Sequence, residues 1–273
     1  MVGRWKPRHI LRIPPVHIQI GPTHPSRLAS HYNNTLVHDL LYLHYSHTHA
    51  AHATHGPNLS QLDPSNPYQS NRKLSPLKGN RPPRPSALPI STENVTRLER
   101  IILHTMVKEA VTSKNALVSA AMAFKALSGE SYHGGGNSNS LGVQIIKSKS
   151  GVAEFKVRAG LQISAQVELR GEKMWEFVGS LVDFVLPKLR DFRGIPMPSP
   201  SSSSTSPSAV SGVVAFGLPP TAMGLFPQIE VNVDSYPRLP GIHIQFITNA
   251  RGKGAQDRAR ALLSGLRIPF IRG

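Results

Sequence analysis

Between Gln162 and Val185 the spacing of apolar residues changes once, across the pair Arg170–Gly171. Before that pair, Ile163, Ala165, Val167 and Leu169 alternate with Gln162, Ser164, Gln166 and Glu168. Strand side chains point alternately to opposite faces, so this stretch reads as a half-buried strand of an antiparallel sheet. After the pair, Met174, Phe177, Val178, Leu181, Val182 and Val185 recur at i, i+3, i+4, i+7, i+8 and i+11, which predicts a helix with one apolar stripe. Glu172 and Glu176 in its first turns, and Lys188 and Arg190 past its end near Pro187, suit the helix macrodipole. A half-buried strand leading straight into a one-faced helix demands a layered fold, helix on sheet. The Met and aromatic residues of the 175–186 face, Trp175 included, read as core and not as a cofactor pocket.

Other segments extend this plan. Residues 27–45, RLASHYNNTLVHDLLYLHY, predict a helix with Leu28, Tyr32, Leu36, Leu40 and Leu43 in one stripe and Ser26 as N-cap. RLERIILHTMV reads as a strand, and Ser113 is expected to cap a helix to Leu127 with Ala116, Leu117, Ala120, Ala121, Phe124 and Leu127 on one face. LGVQIIKSKSG and VAEFKVRAG are expected to form two strands joined by a basic tip, with Phe155, Val157 and Ala159 on the apolar side of the second. Further strands are expected at 213–216 and in GIHIQFITNA, and a last helix in GAQDRARALLSGL with Ala259, Leu262, Leu263 and Leu266 inward. The class is therefore α+β: a mostly antiparallel sheet with helices packed on one face, plus an irregular basic N-terminal extension and loop insertions. The expected boundaries are a basic extension at 1–25, an N-terminal helix at 26–45, an irregular His/Pro-rich insertion at 46–95, and an α+β domain at 96–273. That domain carries a low-complexity insertion at 196–211 and a Gly-rich loop at 129–142.

The formal net charge of +16 calls for a polyanionic partner, nucleic acid first and an acidic membrane surface second. No apolar run approaches the ~20 residues of a membrane span. With no Cys in the chain, disulfides, thiolate metal sites and Cys nucleophiles are excluded. The first 38 residues contain no acid but carry Arg4, Lys6, Arg8, Arg12 and Arg27. Such a start resembles a mitochondrial import signal, or a basic arm on RNA; prolines at 7, 14, 15, 22 and 25 prevent one continuous helix.

No enzyme constellation is present in the sequence. His44, His47, His49, His52 and His55 lack a carboxylate or Cys companion and zinc-finger spacing, so a polar insertion accounts for them better than a metal site. The Gly-rich loop lacks the Lys-Ser/Thr ending of a phosphate cradle, and ARGKGAQD reads as a tight strand-to-helix turn. Glu172 and Asp191 serve a helix start and a turn, not an acid–base pair. What remains is cationic: Lys147, Lys149, Lys156, Arg158, Arg170, Arg190, Arg193, Arg251 and Lys253 at strand ends and loops, with Arg27 and His31 on the N-terminal helix. Together they suit phosphate neutralisation. Aromatics are few at 6%, so shape and backbone recognition of a folded RNA fits better than a stacking reader of single strands.

RLERIILHTMVKEA, GVAEFKVRAG, VELRGEKMWEF, LPKLRDFRGI, FPQIEVN and ARALLSGLRIPF occur in that order. In this the chain resembles universal large-subunit ribosomal protein five, the 5S-rRNA-binding family, in a mitochondrial form. The resemblance covers 27–45 and 96–270. It implies a structural, non-enzymatic protein of the central protuberance, in the large ribosomal subunit of the mitochondrial matrix, with no cofactor. The implied partners are large-subunit rRNA, 5S rRNA where the ribosome has one, peptidyl-site tRNA and neighbouring mitochondrial ribosomal proteins. The family's tRNA-facing loop matches 146–153, which gives Lys147, Lys149 and Ser150 that role. Ser150 stands where a Lys is usual, and Glu154 where a Gly is usual. A free RNA-binding regulator or assembly factor on the same fold is the alternative reading.

Overall fold

The computed structural model describes residues 26–45, 90–130, 142–197, 211–252 and 254–272. The basic N-terminal arm, the histidines from His47 to His55, most of the three insertions, and Lys253 lie outside the described residues.

Five strands build the main sheet: β1 (Leu98–Met106), β2 (Val143–Lys147), β3 (Gln162–Leu169), β5 (Val213–Leu218) and β6 (Ile242–Thr248). All their pairings are antiparallel, in the order β2-β3-β1-β6-β5. The alternation read from the sequence sets which face is buried. Ile101, Leu103 and Thr105, then Ala165, Val167 and Leu169, then Ile242, Ile244 and Phe246 all point into the core. The helices α3 (Asn115–Ser128), α4 (Gly171–Ser180) and α8 (Ala255–Gly265) pack on the strands. The expected α+β arrangement, sheet with helices, is what the chain adopts.

The central helical segment buries all six residues of its predicted stripe. It comprises α4, a π-helical turn at Leu181–Val185 and the short α5 (Leu186–Lys188). The wider turn lies directly before Pro187, whose ring would crowd the carbonyl of Asp183 and which donates no N–H to it. Lys188 does not merely face the helix end: it donates to both carboxylate oxygens of Glu230, at 3.0 and 2.7 Å. Glu230 ends α7 (Pro227–Glu230), which follows α6 (Pro220–Met223). Trp175 is only half-buried, against the expectation that it is core. It stands at the rim and packs on Tyr32 of the N-terminal helix, ring centroids 5.5 Å apart.

That N-terminal helix runs as α1 (Arg27–His31), a π-helical turn (Tyr32–Leu36) and α2 (Val37–His44). The Thr35 hydroxyl donates to the His31 carbonyl at 2.7 Å, a back-bond that competes with regular helix geometry. Leu28, Leu36 and Leu40 are buried as predicted, but Leu43 is 64% exposed. His44, four residues after Leu40, takes the more inward place in the last turn. The Tyr32 hydroxyl donates to the Thr96 carbonyl at 3.0 Å and ties this helix to the start of β1.

Four local expectations are corrected. Ser26 occupies the N-cap position, but its hydroxyl makes no capping bond; its carbonyl accepts from Ser30 at 2.9 Å. Ser113 does not cap α3, which has Lys114 at that position; the Ser113 carbonyl accepts from Ala116 at 3.3 Å. The low-complexity insertion does not begin at 196, because β4 (Ile195–Met197) pairs in parallel with β7 (Phe270–Arg272). Gly194 makes that pairing possible: at φ +130° a side chain there would press on the Pro269 carbonyl at 3.1 Å. Finally, the segment VAEFKVRAG is not a strand.

Candidate nucleic-acid interface

The chain between β2 and β3 leaves the sheet as a narrow prong. Its base is latched by Ser148, whose N–H donates to the Leu161 carbonyl at 2.8 Å and whose carbonyl accepts from Gly160 at 2.9 Å. Farther out, Val152 and Val157 exchange backbone bonds of 2.9 and 3.1 Å. A single 3-10 turn, Ala153–Phe155, closes the end, and Lys156 adopts a left-handed conformation (φ 55°). Gly151 lets the two legs close, since a Cβ there would lie 3.3 Å from the Val157 carbonyl. Phe155, Val157 and Ala159 alternate as a strand would, yet beyond the sheet edge they meet no second layer among the described residues, and Phe155 is 72% exposed. The structure therefore puts Lys147, Lys149 and Ser150 on one leg, not at the tip. The tip belongs to 153–156, and Lys156 and Arg158 lead into the returning leg. All five of these predicted site residues are exposed.

A second basic group sits at the opposite end of the sheet. Arg170 follows β3, and β1 pairs with β3 so that Ile101 faces Leu169. This brings Arg100 and Arg170 to one carboxylate: Glu168 accepts from Arg100 at 3.2 Å and from Arg170 at 2.6 and 2.7 Å. Arg97, Leu98, Glu99, Arg100 and Arg170 line an open recess of about 460 Å³. Asn249 fixes the Arg97 backbone twice: its side-chain Oδ1 accepts from the Arg97 N–H at 2.8 Å, and its own N–H donates to the Arg97 carbonyl at 3.2 Å. Arg251, exposed, lies two residues beyond Asn249. Arg97 and Arg100 were missed in the sequence because RLER reads simply as the start of a strand; a cationic pair spaced by three residues beside the Arg170 turn was the available signal.

The other predicted cations do not converge. Arg27 is engaged with Asp183 of the central segment at 2.5 Å, and His31 is exposed beside the Thr35 hydroxyl at 2.8 Å. Arg190 and Arg193 are exposed in the turn after α5, at the far end of the central segment from Arg170. Eighteen helical residues span about 27 Å, and the eight residues of β3 separate the prong from the arginine group by roughly 25 Å. No small ligand bridges such distances; a polymer does.

Between these ends lies the open face of the sheet. Gln144, Gln166, His104 and His243 stand side by side across four strands, by register. Burial, then the charge of His243, holds His104 below the ordinary histidine pKa. Burial and the nearby Arg258 do the same for His44 against the pull of Asp257. Burial pushes the Glu168 carboxyl up, but the hydrogen bonds and charges of Arg170 and Arg100 outweigh it and hold it below the usual range. All three groups bind protons more weakly folded than unfolded. Their contributions to stability are therefore present at neutral pH and lost on acidification, the histidines first below 6.5 and Glu168 below 4.5. The denaturation midpoint is expected to fall from pH 7 to 5.5 and again by pH 4; a flat profile would contradict these environments.

Residues 162–270 match the family model described as the C-terminus of the ribosomal L5 protein family. The chain is 33% identical over 259 residues to large ribosomal subunit protein uL5m of Schizosaccharomyces pombe, across 93% of this chain and 82% of that one. With the uL5m protein of Neurospora crassa the identity is 28% over 275 residues, 97% of this chain and 72% of the relative. With the uL5 protein of Idiomarina loihiensis it is 33% over 180 residues, 66% and 86% of the two chains.

Proposed function

The chain belongs to the uL5 family of large ribosomal subunit proteins, in its mitochondrial form uL5m, and from that premise we propose that it binds rRNA in the central protuberance and reaches peptidyl-site tRNA with the β2–β3 prong. It is a structural constituent of the mitochondrial large ribosomal subunit, not an enzyme. Its place is the mitochondrial matrix. Large-subunit rRNA is the main partner, joined by 5S rRNA where the ribosome has one and by neighbouring mitochondrial ribosomal proteins.

The observation that carries this reading is the separation of the cations into groups at opposite ends of one sheet, the exposed Lys147, Lys149, Lys156 and Arg158 against the exposed Arg97, Arg170 and Arg251 with the half-buried Arg100. Phosphates spaced along folded RNA suit each group, and each contact releases counterions. The prong extends past the sheet edge, so it is free to meet a second RNA while the rest of the domain stays on rRNA.

Lysines Lys147 and Lys149 provide the test. Changing both to Ala should weaken peptidyl-site tRNA binding to assembled ribosomes and lower the salt slope by roughly 1 for each lysine removed. Incorporation into the large subunit should not change, because both side chains are exposed. Equal tRNA affinity of variant and parent ribosomes across a salt series would remove the tRNA role.

A further inference from the structure

We infer that Phe155 stacks on the uncovered face of a nucleobase in the RNA that the prong meets, so that the prong grips by one aromatic ring as well as by charge. The inference rests on the reading that the prong contacts tRNA. Phe155 is 72% exposed, and Val152, which pairs with Val157 across the prong, is 41% exposed. An exposed Phe on a slack loop would turn back onto the nearest apolar surface. This one sits where the Val152–Val157 bond pair and the Ser148 latch hold the backbone, so its outward presentation is built into the chain path. A ring held in place before contact loses little freedom on binding, which is what makes an aromatic anchor effective.

The charges around it select the partner. Lys149 and Arg158 are exposed on the legs and attract RNA, while Lys156 is exposed at the tip beside Phe155. Glu154, also exposed, flanks Phe155 on the other side and offsets the charge of Lys156, so the tip itself carries no net charge. The tip therefore takes the neutral part of a nucleotide while the legs take its phosphates. Base–aromatic stacking tolerates any base, so one ring adds affinity without demanding a sequence.

Three variants in assembled ribosomes test this: Phe155→Ala, Phe155→Leu and Phe155→Trp, each checked for incorporation into the large subunit. Phe155→Ala should weaken peptidyl-site tRNA binding about tenfold with the salt slope unchanged, since no charge is removed. Phe155→Trp should retain binding, and Phe155→Leu should behave like Ala. If Phe155→Ala binds like the parent while Lys147→Ala/Lys149→Ala does not, stacking is rejected and the tRNA contact stands. If Phe155→Leu binds as well as the parent, the contact is plain apolar burial, as against a protein, and stacking is again rejected. If neither Phe155→Ala nor the lysine pair alters binding, the tRNA reading itself fails and the stacking role falls with it.

Discussion

Phe226→Ala is expected to destabilise the protein by about 3–5 kcal/mol. Phe226 is fully buried and stacks on Phe177 of the central helix, ring centroids 5.6 Å apart. It occupies the N-cap position of α7, and Met223 and Ile229 beside it are fully buried as well. Helices α6 and α7 have four residues each, too few to form alone, so their order depends on this anchor. Truncation removes the transfer energy of the ring and leaves a cavity that its packed neighbours only partly collapse to fill. Trp175→Ala should cost much less, about 0.5–1.5 kcal/mol from its ring contact with Tyr32 plus a partial loss of burial. Chemical denaturation of the full chain checks both; a Trp175 effect equal to that of Phe226 would mean that the Trp175 ring is core and not rim.

Arg97→Gln combined with Arg170→Gln should reduce affinity for large-subunit rRNA by roughly sixtyfold near 0.1 M salt, on a slope of about 0.9 per phosphate contact. The slope itself should fall by about 2. Arg100 is left in place because Glu168, whose side chain is only 11% exposed, needs a remaining cation. Arg170 is the better choice to change: it is more exposed than Arg100, 51% against 39%, and Arg100 stays on the carboxylate after its loss. Binding of the purified full chain to rRNA, titrated across salt, decides the matter. An unchanged slope would show that the recess at this end of the sheet faces no phosphate.

Much of this molecule was legible because hydrophobic periodicity is a local property. The period of two in β3 and of 3.6 in the central helix each report how neighbouring residues share a face, and every residue of both predicted apolar stripes is buried except Ile163, which is partly so. Where local pattern and tertiary setting part, the reading failed. The alternation through Phe155 and Val157 was real, but a strand needs a partner layer and the prong runs past it. The stripe of the N-terminal helix drifted by one residue at its end, where His44 and not Leu43 lies inward. The Pro-rich start of the insertion at 196 concealed β4, whose partner β7 lies more than 70 residues away.

The candidate interface divides in the same way. Charge, the absence of catalytic constellations, the order of elements and the basic character of the β2–β3 connection were determined by the sequence itself. Only the tertiary structure decided that Arg97 and Arg100 join Arg170 around Glu168, that Arg27 turns to Asp183, and that Lys147 and Lys149 flank a leg while Phe155 takes the tip. The physical reason is register: pairing β1 with β3 brings side chains nearly 70 residues apart to one carboxylate, and no periodicity within either strand records which residue of one will face which residue of the other.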